Sequence, residues 1–372
     1  MTRLLNNLPS VPSWAIINSP ITFTSELKQF SPPFDYLNNQ TELTFEGLEL
    51  WWSAITAGLM PPSKNNKKAG HITPFAQRSA EVTKWRAVSS LNFVQSTLNK
   101  HSSKYQLSRN QASTDLEPTE TGQISYAIGS MMCRAFTAYK LDLPFSVHTK
   151  WVEDKIRFKQ NIKSRPDYVC FDENQNIAYA EAKGRSGDWG NVKRDLANKL
   201  QMRALPHPTK GQRRIEVGCA TLVSRDSAIE FFAADPEPSI DYIEFEPIEV
   251  AQEYYASLQA LTMPLSQLTS TNSSEFLESQ IQKTTSTWEK MSNHDNHEVN
   301  GGLLIPPEVQ HSVNNGTILS EYQKLKESVR EKYLQHSRLP NYFMNPDLSI
   351  TVLDTEEAVR VQTITASTNF NN

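Results

Sequence analysis

The chain is poor in the residues that build small, stapled or strained folds. Of 372 residues only three are cysteine and 13 are glycine. Cys133, Cys170 and Cys219 lie far apart, each in an apolar run, and no Cys-x-x-Cys pair or zinc-ligand spacing occurs. This excludes a disulfide framework and a structural zinc site, and it suits buried thiols in a reducing compartment. No run approaches the roughly 20 consecutive apolar residues of a membrane span. The opening stretch MTRLLNNLPSVPSWAIINSP is broken by Asn, Pro and Ser and lacks a signal peptide's continuous apolar core, so a cytoplasmic protein without membrane contact is expected. No internal repeat of solenoid length is present.

Net charge is also small, at -4, but it is unevenly placed. Residues 63–110 hold nine Lys/Arg and one acid, Glu81, and residues 150–214 hold fifteen Lys/Arg against eight acids. Residues 226–300 reverse this, with fourteen acids and two lysines. Basic blocks attract polyanions such as nucleic acid, and acidic ones stay solvated or screen a partner. Solvated faces alone would give the same pattern.

What is present reads as a succession of elements. Residues 46–60 predict a helix carrying Trp51 and Trp52, and 61–74 a loop. Residues 75–100 predict one or two helices, with Val82, Trp85, Val88 and Leu91 near helical spacing, and 101–120 a linker. Then come a helix over 119–141, strands over 144–152, 166–172 and 176–184, a helix over 188–205 and an apolar central strand over 214–224. Val192, Leu196 and Leu200 mark that second helix's buried side. A further strand and helix, a polar acidic linker, and an amphipathic helix over 319–338 complete the chain, with an extended segment near LSITVLD.

Residues 164–188, SRPDYVCFDENQNIAYAEAKGRSGD, carry the chemistry. In a strand, residues i and i+2 share a face. Glu181 and Lys183 therefore stand together with Ile177 and Tyr179, while Ala178, Ala180 and Ala182 face a closely packed helix. The Glu–Lys side is expected to be the more open one. The short turn 173–176 sets Asp167 opposite Glu181 or one residue offset. Side chains so placed have Cβ atoms about 4.5–5.5 Å apart. Two carboxylates at that separation repel unless a cation lies between them, and so few hard oxygens suit Mg2+ or Mn2+. The backbone carbonyl of Ala182 is a further candidate ligand, and Lys183 is placed to orient water and stabilise phosphate charge. The plain alternative is an ion-paired hairpin on the protein surface.

Pro166-Asp167, thirteen residues, then Glu181-Ala182-Lys183, in a helix–three strands–helix–strand order, resembles the PD-(D/E)xK nuclease superfamily with its restriction-endonuclease-like fold. The resemblance covers about a third of the chain. It implies that Asp167 and Glu181 hold the metal and that Lys183 is catalytic. Relatives place an acid on the first helix. Here Glu120 and Glu117 are the candidates, while Gln123 stands where relatives often have Glu, a departure from the family pattern. Lys193 and Gln201 on the second helix, and Arg185 in the basic turn after the motif, are candidate nucleic-acid contacts.

The remaining features carry milder expectations. His148 reads as a strand-surface imidazole, His294 and His297 as linker residues, and Trp51, Trp52 and Trp85 as core rather than base-stacking groups. The KNNKK loop (64–68) is either a phosphate contact or a solvated loop, and Pro346-Asp347 reads as a chance repeat of the motif.

The expected architecture is α/β. A restriction-endonuclease-like αβββαβ core, its mixed central sheet flanked by helices, spans 116–264. A mostly helical N-terminal region with a basic segment (1–115) precedes it. An acidic linker (265–300) and a small C-terminal α+β segment (301–372) follow. The expected activity is Mg2+-dependent hydrolysis of nucleic-acid phosphodiesters, DNA ahead of RNA, with anti-phage defence or mobile-element biology as its setting. The alternative is an inactive nucleic-acid-binding or complex-assembly module on the same fold, docking a partner or a second copy through the C-terminal helix.

Overall fold

The computed structural model describes residues 11–16, 19–59, 83, 85–152, 155–158, 165–187, 189–192, 196, 214–225, 227–235, 243–259, 298–299, 301–335 and 342–353. Over these the protein is a mixed α/β structure built on a curled mixed sheet flanked by helices. In chain order its strands are β1 (Val11–Pro12), β2 (Ile21–Lys28), β3 (Glu42–Phe45), β4 (Val94–Asn99), β5 (Lys104–Arg109), β6 (Phe145–His148), β7 (Ile156–Phe158) and β8 (Tyr168–Phe171). Then follow β9 (Ile177–Arg185), β10 (Arg214–Leu222), β11 (Glu230–Ala234), β12 (Ile243–Phe245), β13 (Glu298–Val299), β14 (Gly301–Leu304), β15 (Tyr342–Met344) and β16 (Ile350–Leu353). The main helices are α1 (Gly47–Thr56), α2 (Pro118–Tyr139), α3 (Pro247–Gln259), α4 (Pro307–Asn314) and α5 (Tyr322–Val329).

The central sheet has nine strands in the order β4-β5-β2-β11-β10-β9-β8-β6, with β3 branching from β2. β6, β8 and β9 run antiparallel in turn, and β10 is parallel to β9. That parallel step requires a crossover, and the helical turn opening at Trp189 begins it. Its Val192 and Leu196 pack on Ala220, Phe232 and Ala234, as their spacing predicts, while Leu200 lies outside the described residues.

The opposite face of the sheet takes α2. Pro118 opens this helix at a position where no backbone donor is needed, and Glu117 and Glu120 cap it reciprocally. From Ile124 onward the helix is buried on nearly every side, because α1 covers what the sheet does not. Trp51 and Trp52 are fully buried core residues, as expected, and Trp52 meets Tyr139 edge-on at 5.6 Å. All three cysteines are free and buried.

The N-terminal region departs from expectation. It is not mostly helical among the described residues: β2, β4 and β5 extend the central sheet, with β3 on its margin. Residues 94–99 pair with 104–109, so the supposed end of a helix and the supposed linker are a β-hairpin. Their composition is polar with few apolar positions, the pattern of strands at a sheet margin, which local periodicity does not separate from loop. Trp85, expected in the core, is 56% exposed.

At the other end, α5 matches the amphipathic helix and continues as π-helical turns to Gln335. Its apolar side, Tyr322, Leu325 and Val329, is buried in the chain's own core, so it is not a free docking face. Asp347 of the Pro346-Asp347 pair lies in the buried interior. The fully buried Asp347 carboxylate accepts the Tyr254 hydroxyl at 2.5 Å, and Tyr254 in turn meets the buried Arg134 of α2 at 3.3 Å. No helix among the described residues is long and apolar enough to cross a membrane. The acidic linker's residues 265–297 lie outside the described set.

Candidate active site

The hairpin β8–β9 positions the motif. Asp172 fixes its turn: one carboxylate oxygen accepts the Asn176 amide at 2.7 Å and the other the Asn176 side chain at 2.6 Å. Gln175 takes the left-handed conformation, φ 62°, that closes so short a connection. The resulting register pairs Tyr168 with Ala180, and one step further it sets Asp167 across from Glu181.

Proline gives the site its opening. The Asp172 amide bonds the Asn176 carbonyl at 3.2 Å, so hydrogen-bonded pairs recur every second residue and the next beyond Tyr168–Ala180 is Pro166–Ala182. Pro166 has no N–H to donate. Its own carbonyl is taken by the Thr149 hydroxyl at 2.5 Å, and the Thr149 amide holds the Asp167 carbonyl at 3.0 Å. The Ala182 amide turns instead to the Asp167 carboxylate, at 3.1 Å. Amide and carbonyl of one strand residue face the same neighbour, so the Ala182 carbonyl points to the side where Asp167 stands, with no ladder donor from Pro166.

Lys183 and Glu181 form an ion pair, Nζ to Oε1 2.8 Å, with side chains 17% and 0% exposed. A fully buried carboxylate costs several kcal/mol unless charge and hydrogen bonds compensate it. The alanine face is as expected: Ala178, Ala180 and Ala182 are all buried, and α2 lies on them. Contact is closest at Gly184, where a Cβ would fall 1.6 Å from the Ser125 carbonyl oxygen, and at Gly129, where one would fall 2.6 Å from the Gly184 nitrogen. The Glu–Lys face, however, is not open. The registers Lys183–Ala220–Phe232 place it on the side that receives Val192 and Leu196. A surface ion-paired hairpin is therefore not what the chain builds.

Asp167, Glu181, Lys183 and the Ala182 backbone thus come together at one strand end. Glu120 does not join them. Its carboxylate accepts the Glu117 amide at 3.0 Å, Glu117 is the helix cap, and Gln123 is exposed. Among the described residues no group of three or more His, Cys, Asp or Glu side chains is arranged to hold a metal. Two carboxylates and one carbonyl are a hard, sparse donor set, which fits an ion that keeps several waters, such as Mg2+, rather than a fully caged one. Arg185 is exposed at the end of β9, and Lys193, Gln201, the 64–68 loop, His294 and His297 lie outside the described residues.

Three groups in the surroundings of the motif were not legible as site residues. Tyr126, from α2, has its phenol pKa raised by burial and by the Asp167 charge. Arg86, from the helical turns before β4, contributes positive charge to Tyr126 and His148. His148 is not a surface imidazole: burial first, then Arg86 and Lys150, push it down to about 4, against the pull of Glu181. Its Nδ1 accepts the Lys150 amide at 3.2 Å.

No family model, curated protein or solved structure matches this chain. The functional reading therefore rests on the residues themselves.

Proposed function

We propose that the protein is a metal-dependent nuclease that hydrolyses DNA phosphodiester bonds at Asp167, Glu181 and Lys183, on a restriction-endonuclease-like core. The observation that carries this reading is the convergence of the Asp167 carboxylate on the Ala182 amide at 3.1 Å with the buried Glu181–Lys183 pair on the same strand. The sequence α2, β6, β8, β9, helical crossover, β10, with β9 and β10 parallel, supports the same core.

In this reading Asp167, Glu181 and the Ala182 carbonyl would hold Mg2+, which when bound neutralises charge developing on the phosphate. Lys183 donates hydrogen bonds to a phosphate oxygen or to the attacking water and holds that water in line with the scissile bond. Before an ion binds, its ammonium balances Glu181. Thr149 keeps Asp167 in place through the backbone, and Gly184 lets α2 close over the strand's other face. A setting in anti-phage defence or mobile-element biology belongs to the same proposal and rests on the family resemblance.

The test is plasmid nicking with Mg2+ and with EDTA, by wild type and by Lys183→Ala. Cutting by the wild type alone, and only with the ion, is expected. Equal behaviour of the two proteins would sink the assignment.

A second reading, a nucleic-acid-binding module without cleavage, is favoured by one observation: no first-helix acid joins the pair, because Glu120 serves as a cap. Calorimetric titration with Mn2+ separates the two. Binding heat that disappears in Asp167→Ala supports the nuclease, and no such heat supports the module.

A further inference from the structure

Groups from separate parts of the chain meet on the α2 side of Asp167. Arg86 Nη1 donates to the Gly58 carbonyl at 2.9 Å. A Cβ on Gly58 would find Arg86 Nη1 at 2.8 Å and the Tyr168 hydroxyl at 3.6 Å, so guanidinium and phenol flank the same piece of backbone. Tyr126 stands near Ser130 and Tyr168 and lies within electrostatic reach of Asp167, yet the residue is 39% exposed. His148 packs edge-on against Tyr168 at 5.4 Å.

This arrangement holds more than packing needs. Guanidinium has five donors, and the Gly58 carbonyl takes one. Arg86 is half-buried, and the Gly58 carbonyl fixes its guanidinium through Nη1. Its chain neighbour Trp85 is exposed, and both belong to the 63–110 segment with nine basic residues and one acid. A fixed guanidinium beside a solvent-facing ring is what a nucleic-acid strand requires, one for phosphate oxygens and the other for a base. The neighbouring imidazole is neutral, so His148 adds no competing cation near pH 7.

We propose that Arg86 and Tyr126 form a second contact for the DNA strand, holding the nucleotide beside the one whose phosphate Asp167, Glu181 and Lys183 would cleave. This rests on the nuclease reading, and it assigns the N-terminal basic segment a direct part in substrate binding.

The experiment measures anisotropy of a labelled short duplex at several salt concentrations in Mg2+, in the Lys183→Ala background so that the duplex is not consumed. Arg86→Gln keeps a donor for the Gly58 carbonyl and removes the charge. Tyr126→Ala removes an exposed ring. Arg86→Gln should weaken binding about tenfold and lower the salt-dependence slope by about 0.9, as loss of one phosphate contact does. Tyr126→Ala should weaken binding several-fold with the slope unchanged. With Lys183 restored, both should raise KM for plasmid more than they lower kcat. Thermal melts identify any variant that has merely unfolded, and Arg86→Lys, which keeps the charge, should retain the slope. Unchanged affinity and slope in a folded Arg86→Gln protein overturns the second contact, whether or not the wild type cuts. Failure of the wild type to cut overturns the nuclease reading instead.

Discussion

Gly184 of β9 lies directly under Ser125 of α2, so close that a Cβ there would come 1.6 Å from the Ser125 carbonyl oxygen. The obstacle is backbone, which cannot rotate aside. Gly184→Ala should therefore push α2 off the strand that carries Glu181 and Lys183, costing about 1–3 kcal/mol and more if the helix cannot move. Gly187→Ala, with nothing within 4 Å of its Cβ, is the control. Urea melts should show the first destabilised and the second unchanged. Equal stability of the two would refute the close approach.

Lys183 balances the buried Glu181 at 2.8 Å. Lys183→Ala should lower stability in EDTA by about 3 kcal/mol, the usual effect of removing one member of a buried pair. If Asp167 and Glu181 hold a divalent ion, Mg2+ should recover much of that loss. Thermal melts with and without Mg2+ check this, and a deficit insensitive to the ion would count against metal binding there.

Two half-buried groups tilt the pH dependence of stability in opposite directions. His148 titrates near 6.5 when unfolded and about 4 when folded, so as pH falls through that window the unfolded chain takes up the proton first and stability drops. Burial raises Asp235 from 3.8 to about 7, partly offset by hydrogen bonds from the Glu216 and Ser31 amides. The folded chain keeps that proton longer, so stability drops as pH rises from 3.8 to about 7. His148→Phe, which preserves the edge-on packing against Tyr168, should remove the acid-side loss, and Asp235→Asn the neutral-side loss. Unfolding free energies from pH 4 to 8 decide both, and a profile that neither variant alters would contradict the assigned shifts.

Arg134 ties the C-terminal segment to the core. It is 2% exposed, donates to the carbonyls of Leu143 and Pro144 and to Thr56, and lies 4.3 Å above the Trp52 ring. Through the Tyr254 hydroxyl it is linked to Asp347, whose pKa burial raises and Arg134 lowers. Arg134→Met should cost about 3–5 kcal/mol. Adding Asp347→Asn should cost less than it does alone, because the two charges then disappear together. Strictly additive losses would show that the link carries no energy.

The local features of the site were legible in the sequence because they depend on neighbours a few residues apart. Strand alternation put Glu181 and Lys183 on one face and the alanines on the other, and a short polar turn between two apolar runs set the pairing of Asp167 with Glu181. What only the tertiary structure decided depends on contacts between distant segments. The polar strands 94–99 and 104–109 acquire their conformation from pairing, and 104–109 joins the sheet beside β2. The Glu–Lys face is covered because a crossover helix lands on β10 and β11. His148 comes within reach of Glu181, Arg86 within reach of His148 and Tyr126, and Asp347 becomes core only once separate segments are packed together. Periodicity tells a residue which way to face, but what it faces is settled by the long-range packing that excludes water.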